Sequence, residues 1–136
     1  MNNNIAIKIF ISYSHKDENL CKELLNHLSP LIRSGIINEW YDRKIIPGEE
    51  WDLIIKEELV SSDIVLFLVS SDFLSSNYIF ENEIQTSLEL KEKEKIEIVP
   101  IMLRTCDIGS TALKDLQGCI APVTYLNGIG RGVYSR

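Results

Sequence analysis

A chain of 136 residues with 45% hydrophobic and 25% charged side chains is one domain's worth and can bury a single core; it lacks the disorder signature of low hydrophobicity with high net charge. Acidic residues outnumber basic ones by 20 to 14, for a formal charge of −6. There is no basic stripe, and the one dense charge run, Lys91 to Glu97, alternates in sign like a solvated helix end, so nucleic acid and anionic membrane are disfavoured as partners.

Ile5 to Ile11 is an apolar run rich in β-branched residues that ends in Ser12-Tyr13-Ser14; it reads as a buried strand. Lys16-Asp17-Glu18 opens a helix in which Leu20, Leu24, Leu25, Leu28, Leu31 and Ile32 recur at helical spacing, and Ser34-Gly35 closes it. Ile36 to Tyr41 is a second, weaker strand. It runs into the loop Asp42 to Gly48, with turn chemistry at Pro47-Gly48. The next helix carries Trp51, Ile54, Ile55 and Leu59 on one face. Asp63 to Val69 is the clearest strand, almost wholly apolar and so buried on both faces, and Ser70-Ser71-Asp72 ends it.

A connection at Phe73 to Asn77 leads to a helix from about Tyr78 to Lys93, with Phe80, Ile84 and Leu88 as its buried stripe. Ile96 to Leu103 is the fourth strand, where Pro100 removes a ladder donor and suggests a strand end or an edge. A short helix near Ala112 to Leu116 and a fifth strand, Val123 to Leu126, complete the pattern. Strands alternating with helices predict an α/β three-layer sandwich with a mainly parallel, five-stranded sheet. The glycine-rich end from Gly128 is too short for a final helix. The chain is therefore expected to be a single domain, residues 1–136, cut from a longer protein.

Ligands of open α/β sheets bind outside the carboxyl ends of the strands. Here those ends carry Ser12-Tyr13-Ser14, Asp42-Arg43 and Ser70-Ser71, although loops are commonly polar in any case. With Phe80, Ile84 and Leu88 facing inward, Glu83 falls about 60° to one side of Phe80, near the helix end beside this rim. Glu81 falls about 100° to the other side and should be exposed. Two readings of Glu83 stand side by side: a functional carboxylate at a polar rim, or a glutamate favoured near a helix N-terminus by the macrodipole.

Other chemistries leave no trace. No GxGxxG follows the first strand, no GxxxxGK[ST] cradles phosphate, and no GxSxG elbow accompanies His15 or His27. A phospho-receiver wants an acidic residue where the third strand ends, and that place holds Ser70-Ser71. Cys21, Cys106 and Cys119 form no CxxC, and Cys21 and His27 are not at i,i+4; free thiols and no metal site are expected. Neither a signal peptide nor a run of roughly 20 apolar residues is visible, so a cytoplasmic location is expected.

Three segments resemble the Toll/interleukin-1 receptor (TIR) family, in particular its bacterial-type branch. Lys8 to Asp17 is similar to the family's first box. Trp40-Tyr41-Asp42-Arg43 with Ile46 to Trp51 is similar to its second box and BB loop. Ile64 to Ser71, followed by Phe73 to Tyr78 and Glu83-Ile84, resembles the strand and helix that carry the catalytic glutamate of enzymatic members. The resemblance spans residues 6 to 126 and implies a flavodoxin-like fold. It implies cleavage of the nicotinamide–ribose bond of NAD⁺, by hydrolysis or cyclisation, with NAD⁺ as substrate and no cofactor. Glu83 would hydrogen-bond the ribose hydroxyls, and Phe10, Ile11, Ser12 and Trp40 would line the nicotinamide end. Asp42 and Arg43 would border the cleft, Tyr13, Ser76 and Tyr78 would complete the substrate-binding set, and Ile46, Pro47 and Gly48 would form the BB-loop interface. One feature departs from the pattern: in many enzymatic members an aromatic precedes the glutamate by four positions, whereas Ile79 stands there and Tyr78 lies five before Glu83.

The resemblance implies an effector of a signalling or defence protein that becomes active on self-association through TIR–TIR contacts. Two other functions are open: a non-enzymatic TIR–TIR adaptor, and a module that binds the nucleotide without cleaving it.

Overall fold

The first strand, β1 (Ile7–Ser12), is flanked on both sides and is buried on both faces from Ile9 onward, as its mainly apolar sequence requires. In the computed structural model, which describes residues 5–42, 50–104, 106, 111 and 113, β1 pairs in parallel with β2 (Ile37–Trp40) and with β3 (Ile64–Val69). β4 (Glu97–Met102) pairs in parallel with the far side of β3. The order β2-β1-β3-β4 is that of an open, doubly wound α/β sheet. Pro100 sits opposite Phe67 within β4, which is the edge of the described sheet. The expected fifth strand at Val123 to Leu126 lies outside the described residues, as does the expected helix near Ala112 to Leu116 apart from Leu113.

Strand alternation divides the core in two. Ile9 and Ile11 of β1 and Leu66 and Leu68 of β3 pack under α1 (Glu18–Arg33), against Cys21, Leu20, Leu24, Leu25, Leu28 and Ile32. Phe10, Val65, Phe67 and Val69 face the other way, against Ile55 and Leu59 of α2 (Trp51–Val60) and residues of the two helices after β3. The result is three layers, helix–sheet–helix. Leu31 of the predicted α1 stripe is exposed instead. α1 ends as its sequence requires: Gly35 adopts φ +79°, with Gly35 N–H donating to the Ile32 carbonyl and Ile36 N–H to that of Leu31, the paired bonds of a Schellman cap.

Two departures from the sequence reading lie after β3. The predicted connection begins with a short helix, α3 (Ser71–Ser75), capped by Ser70, whose hydroxyl accepts from Phe73 N–H. The following helix, α4, is not uniform. It comprises an α turn at Asn77–Ile79, a π-helical segment at Phe80–Ile84 and an α-helical part at Gln85–Glu92. Gln85 N–H donates to the Phe80 carbonyl, five residues back. This wider turn accommodates one extra residue, so the stripe that continues through Ile84 and Leu88 begins at Ile79, not Phe80. Ile79 is buried, and Phe80 is 39% exposed.

The strand ends are held together by a buried acid. Asp17, in the 3₁₀ turn His15–Asp17 that leads into α1, accepts from the Ser70 hydroxyl at 2.5 Å and from the Arg104 guanidinium at 2.5 Å. It therefore ties the first turn after β1 to the ends of β3 and β4. Its burial is compensated by a charged and a neutral donor. Among the described residues no helix is long and apolar enough to cross a membrane.

Candidate active site

Where β1 and β2 end and α2 and α4 begin, a cleft of about 290 Å³ opens, lined by the turns that follow the two strands and by the first turns of the two helices. Tyr13, Ser14 and His15 come from the turn after β1, Asp42 from the end of β2 and Trp51 from the start of α2. Ser76, Tyr78, Ile79 and Glu83 come from α4 and its cap. The cleft therefore sits outside the carboxyl ends of the strands, where the α/β topology puts ligand sites.

Glu83 is only 5% exposed. The hydroxyl of Ser12, the last residue of β1, donates to its Oε1 at 2.5 Å. Burial pushes its carboxyl up to about 7 from an ordinary 4.5; the Ser12 hydrogen bond opposes that shift and the nearby Asp42 adds to it. A helix-terminal glutamate placed for the macrodipole alone would lie in solvent, and this one does not. The π segment also accounts for the departure in spacing. Residues five apart share a face across a π turn, which sets Tyr78 and Glu83 on the cleft together and Ile79 and Ile84 in the core. Asn82 instead donates to the Tyr78 carbonyl at 3.1 Å, and Glu81 is exposed.

On the other side of the cleft, His15 Nε2 and Asp42 Oδ2 are 2.6 Å apart. The second carboxylate oxygen, Asp42 Oδ1, is buried without a hydrogen-bond partner among the described residues. The His15 ring meets Trp51 edge-on, with centroids 6.5 Å apart. Tyr78 donates its hydroxyl to Asp52 Oδ1 at 2.8 Å. Burial, then that bond and the surrounding carboxylates, hold its phenol well above the usual range.

Of the expected site residues, the fold brings Tyr13, Asp42, Ser76, Tyr78 and Glu83 to the cleft, with Ser12 reaching it through Glu83. Phe10, Ile11 and Trp40 do not line it. Alternation along β1 sends Ile11 to the α1 face, while Phe10 is buried under Trp40, their rings stacked with centroids 5.1 Å apart. Arg43, Ile46, Pro47 and Gly48 lie outside the described residues. Sequence reasoning missed Ser14, His15, Trp51 and Ile79. Ser14 and His15 stand inside the first box, and Trp51 was placed on the buried face of α2, although as the first residue of that helix it meets the rim and stays 44% exposed.

Two neighbouring features have structural explanations. Ser14, Ser70 and Ser76 each accept from a backbone N–H at the start of a helical turn, so much of the rim's polarity is capping. A second hollow of about 310 Å³ under α1 includes Cys21. Burial, then Asp42 and Glu18, push that thiol up to about 12, which leaves it a poor nucleophile. Among the described residues no group of three or more His, Cys, Asp or Glu could hold a metal ion.

Comparison with known proteins agrees with this architecture. The chain is 41% identical over 99 residues to the uncharacterised protein y4lF of Sinorhizobium fredii; the match covers 73% of this chain and 31% of that protein's length. The TIR domain of the Toll-related receptor TRR-2 from Hydra magnipapillata superposes with a TM-score of 0.67 at 22% identity, over 83% of this chain and 82% of that one. The TIR domains of the activated Roq1 resistosome, which directly recognises the pathogen effector XopQ, superpose with a TM-score of 0.58 at 24% identity, over 71% of this chain and 57% of that one. The profile of the TIR domain family matches residues 9–127, and the chain belongs to that family.

Proposed function

We propose that the cleft is the active site of an N-glycosyl hydrolase that breaks the nicotinamide–ribose bond of NAD⁺, with Glu83 as its catalytic carboxylate. The observation that carries the reading is the setting of Glu83: buried, held by Ser12, and on the wall of a cleft at the carboxyl ends of the strands. Nicotinamide leaves a positively charged ring as a neutral molecule, so the reaction needs no general acid. It needs the ribose held and the developing oxocarbenium ion stabilised, as carboxylates do in glycoside hydrolysis. Ionised Glu83 accepts hydrogen bonds from the ribose hydroxyls, and its low-dielectric surroundings strengthen its attraction for the cation. At about 290 Å³ the cleft is at the lower end of ligand pockets. It suits the nicotinamide riboside end, leaving the rest of the dinucleotide across the rim. The ribosyl cation then goes to water, giving ADP-ribose, or to the adenine, giving a cyclic product.

Self-association is part of this reading. The Roq1 neighbour was solved as an activated assembly, and here Trp51, Leu53 and Phe80 leave apolar surface exposed on α2 and α4. An adaptor working through such contacts alone would gain nothing from a carboxylate whose burial opposes folding at neutral pH. The test is to cluster the chain on an oligomeric scaffold, incubate it with NAD⁺ and measure free nicotinamide. Release is expected. Saturable binding by calorimetry without release would favour the nucleotide-sensing alternative, and neither binding nor release would favour the adaptor.

A further inference from the structure

The proposed reaction has a second half, in which the ribosyl cation must be captured. Glu83 is suited to stabilising the cation, and nothing in that role removes the proton from an attacking water. His15 lines the same cleft from the turn after β1. Its ring Nε2 lies 2.6 Å from Asp42 Oδ2, which pairs the ring with that carboxylate. A carboxylate offers only acceptors, so Nε2 is the donor in this pair, and a neutral ring bonded in this way carries its lone pair on Nδ1. An acid that orients an imidazole and stabilises the imidazolium formed from it is the arrangement general-base catalysis uses. Asp42 suits that task because its side chain is largely buried, whereas His15 is half exposed and in reach of water.

We propose that His15, oriented by Asp42, is the general base for water in the capture step, in contrast to Glu83, which serves bond cleavage. The proposal rests on the NAD⁺ reading above. In the balanced step the C1′–N bond breaks with its electron pair to nicotinamide, and the water oxygen forms a bond to C1′. The water proton passes to His15 Nδ1 and then to solvent, so the products are nicotinamide, ADP-ribose and one proton.

A pyridine base attacks C1′ with a nitrogen lone pair and has no proton to lose. Exchange of isotopically labelled nicotinamide into NAD⁺ therefore needs Glu83 and not His15. The experiment measures label exchange and ADP-ribose formation side by side, with the full chain clustered on a scaffold. For His15→Gln, hydrolysis is expected to fall at least tenfold while exchange stays within about threefold of wild type. Asp42→Asn should change the ratio in the same direction by a smaller factor. Both reactions falling together in His15→Gln, in protein whose thermal unfolding matches wild type, would overturn the proposal, as would neither changing. If the wild-type chain neither hydrolyses nor exchanges, the NAD⁺ reading itself fails and takes this one with it; exchange lost only in Glu83→Gln keeps that reading and judges His15 by the ratio alone.

Discussion

At the scale of single residues, the molecule spends stability on Glu83. Its carboxyl holds its proton to about pH 7 in the fold and to about 4.5 when unfolded. The folded protein therefore binds the extra proton between those values, and stability falls as pH rises from about 4.5 to about 7, the full penalty being present above. A shift of this size corresponds to roughly 3 kcal/mol. Glu83→Gln keeps an acceptor for Ser12 and removes the charge, so it is expected to be more stable than wild type by up to about 3 kcal/mol at pH 8. Near pH 4 the two should match, as denaturant unfolding at the two pH values will show. The proposed chemistry needs the ionised form, so kcat/KM should rise through about pH 7 to a plateau. The Ser12 bond lowers this pKa, so Ser12→Ala should move the midpoint of the pH–rate profile upward; an unmoved midpoint would detach Glu83 from the profile.

At the scale of elements, the π segment of α4 decides which side chains reach the cleft. Periodicity of 3.6 located the helix and put Glu83 beside the rim, but a local change of pitch leaves no mark in a hydrophobic pattern, so Phe80 was assigned the place that Ile79 holds. The same pitch brings Tyr78, five residues before Glu83, to the cleft with it. Deleting the exposed Glu81 would leave an uninterrupted α-helix in which both pairs, Tyr78 with Glu83 and Ile79 with Ile84, are four apart and still share their faces. That deletion is expected to keep the fold and the melting temperature within a few degrees. Deleting exposed Glu89, in the α-helical part, would rotate Leu90 off the core and should lower stability by about 2 kcal/mol or more. Equal losses from the two deletions in thermal melts would contradict the role given to the π turn.

At the scale of the whole molecule, the alternation of strands and helices was legible because both faces of a parallel sheet must be covered, and almost wholly apolar runs such as Asp63 to Val69 are its direct record. The position of the rim follows from that topology, while the order β2-β1-β3-β4 is set by which strands pair. What tertiary contact alone decides was not legible: that Ser70 serves a cap and Asp17, that Asp17 pairs with Arg104 at a separation of 87 residues, and that His15 meets Asp42. Asp17 joins three strand ends, and Asp17→Ala would leave the Ser70 hydroxyl buried without its acceptor. A loss of about 3 kcal/mol in denaturant unfolding is expected; a loss under about 0.5 would show the tie to be idle.

The central claim is that this buried carboxylate cleaves an N-glycosidic bond. Its most direct test is nicotinamide release from NAD⁺ by clustered wild-type chain and clustered Glu83→Gln at pH 8, where the variant is expected to be the more stable protein. The account predicts release by the wild type and a fall of at least a hundredfold in the variant, which its stability would prevent from being ascribed to unfolding. Release at comparable rates from both proteins would contradict it.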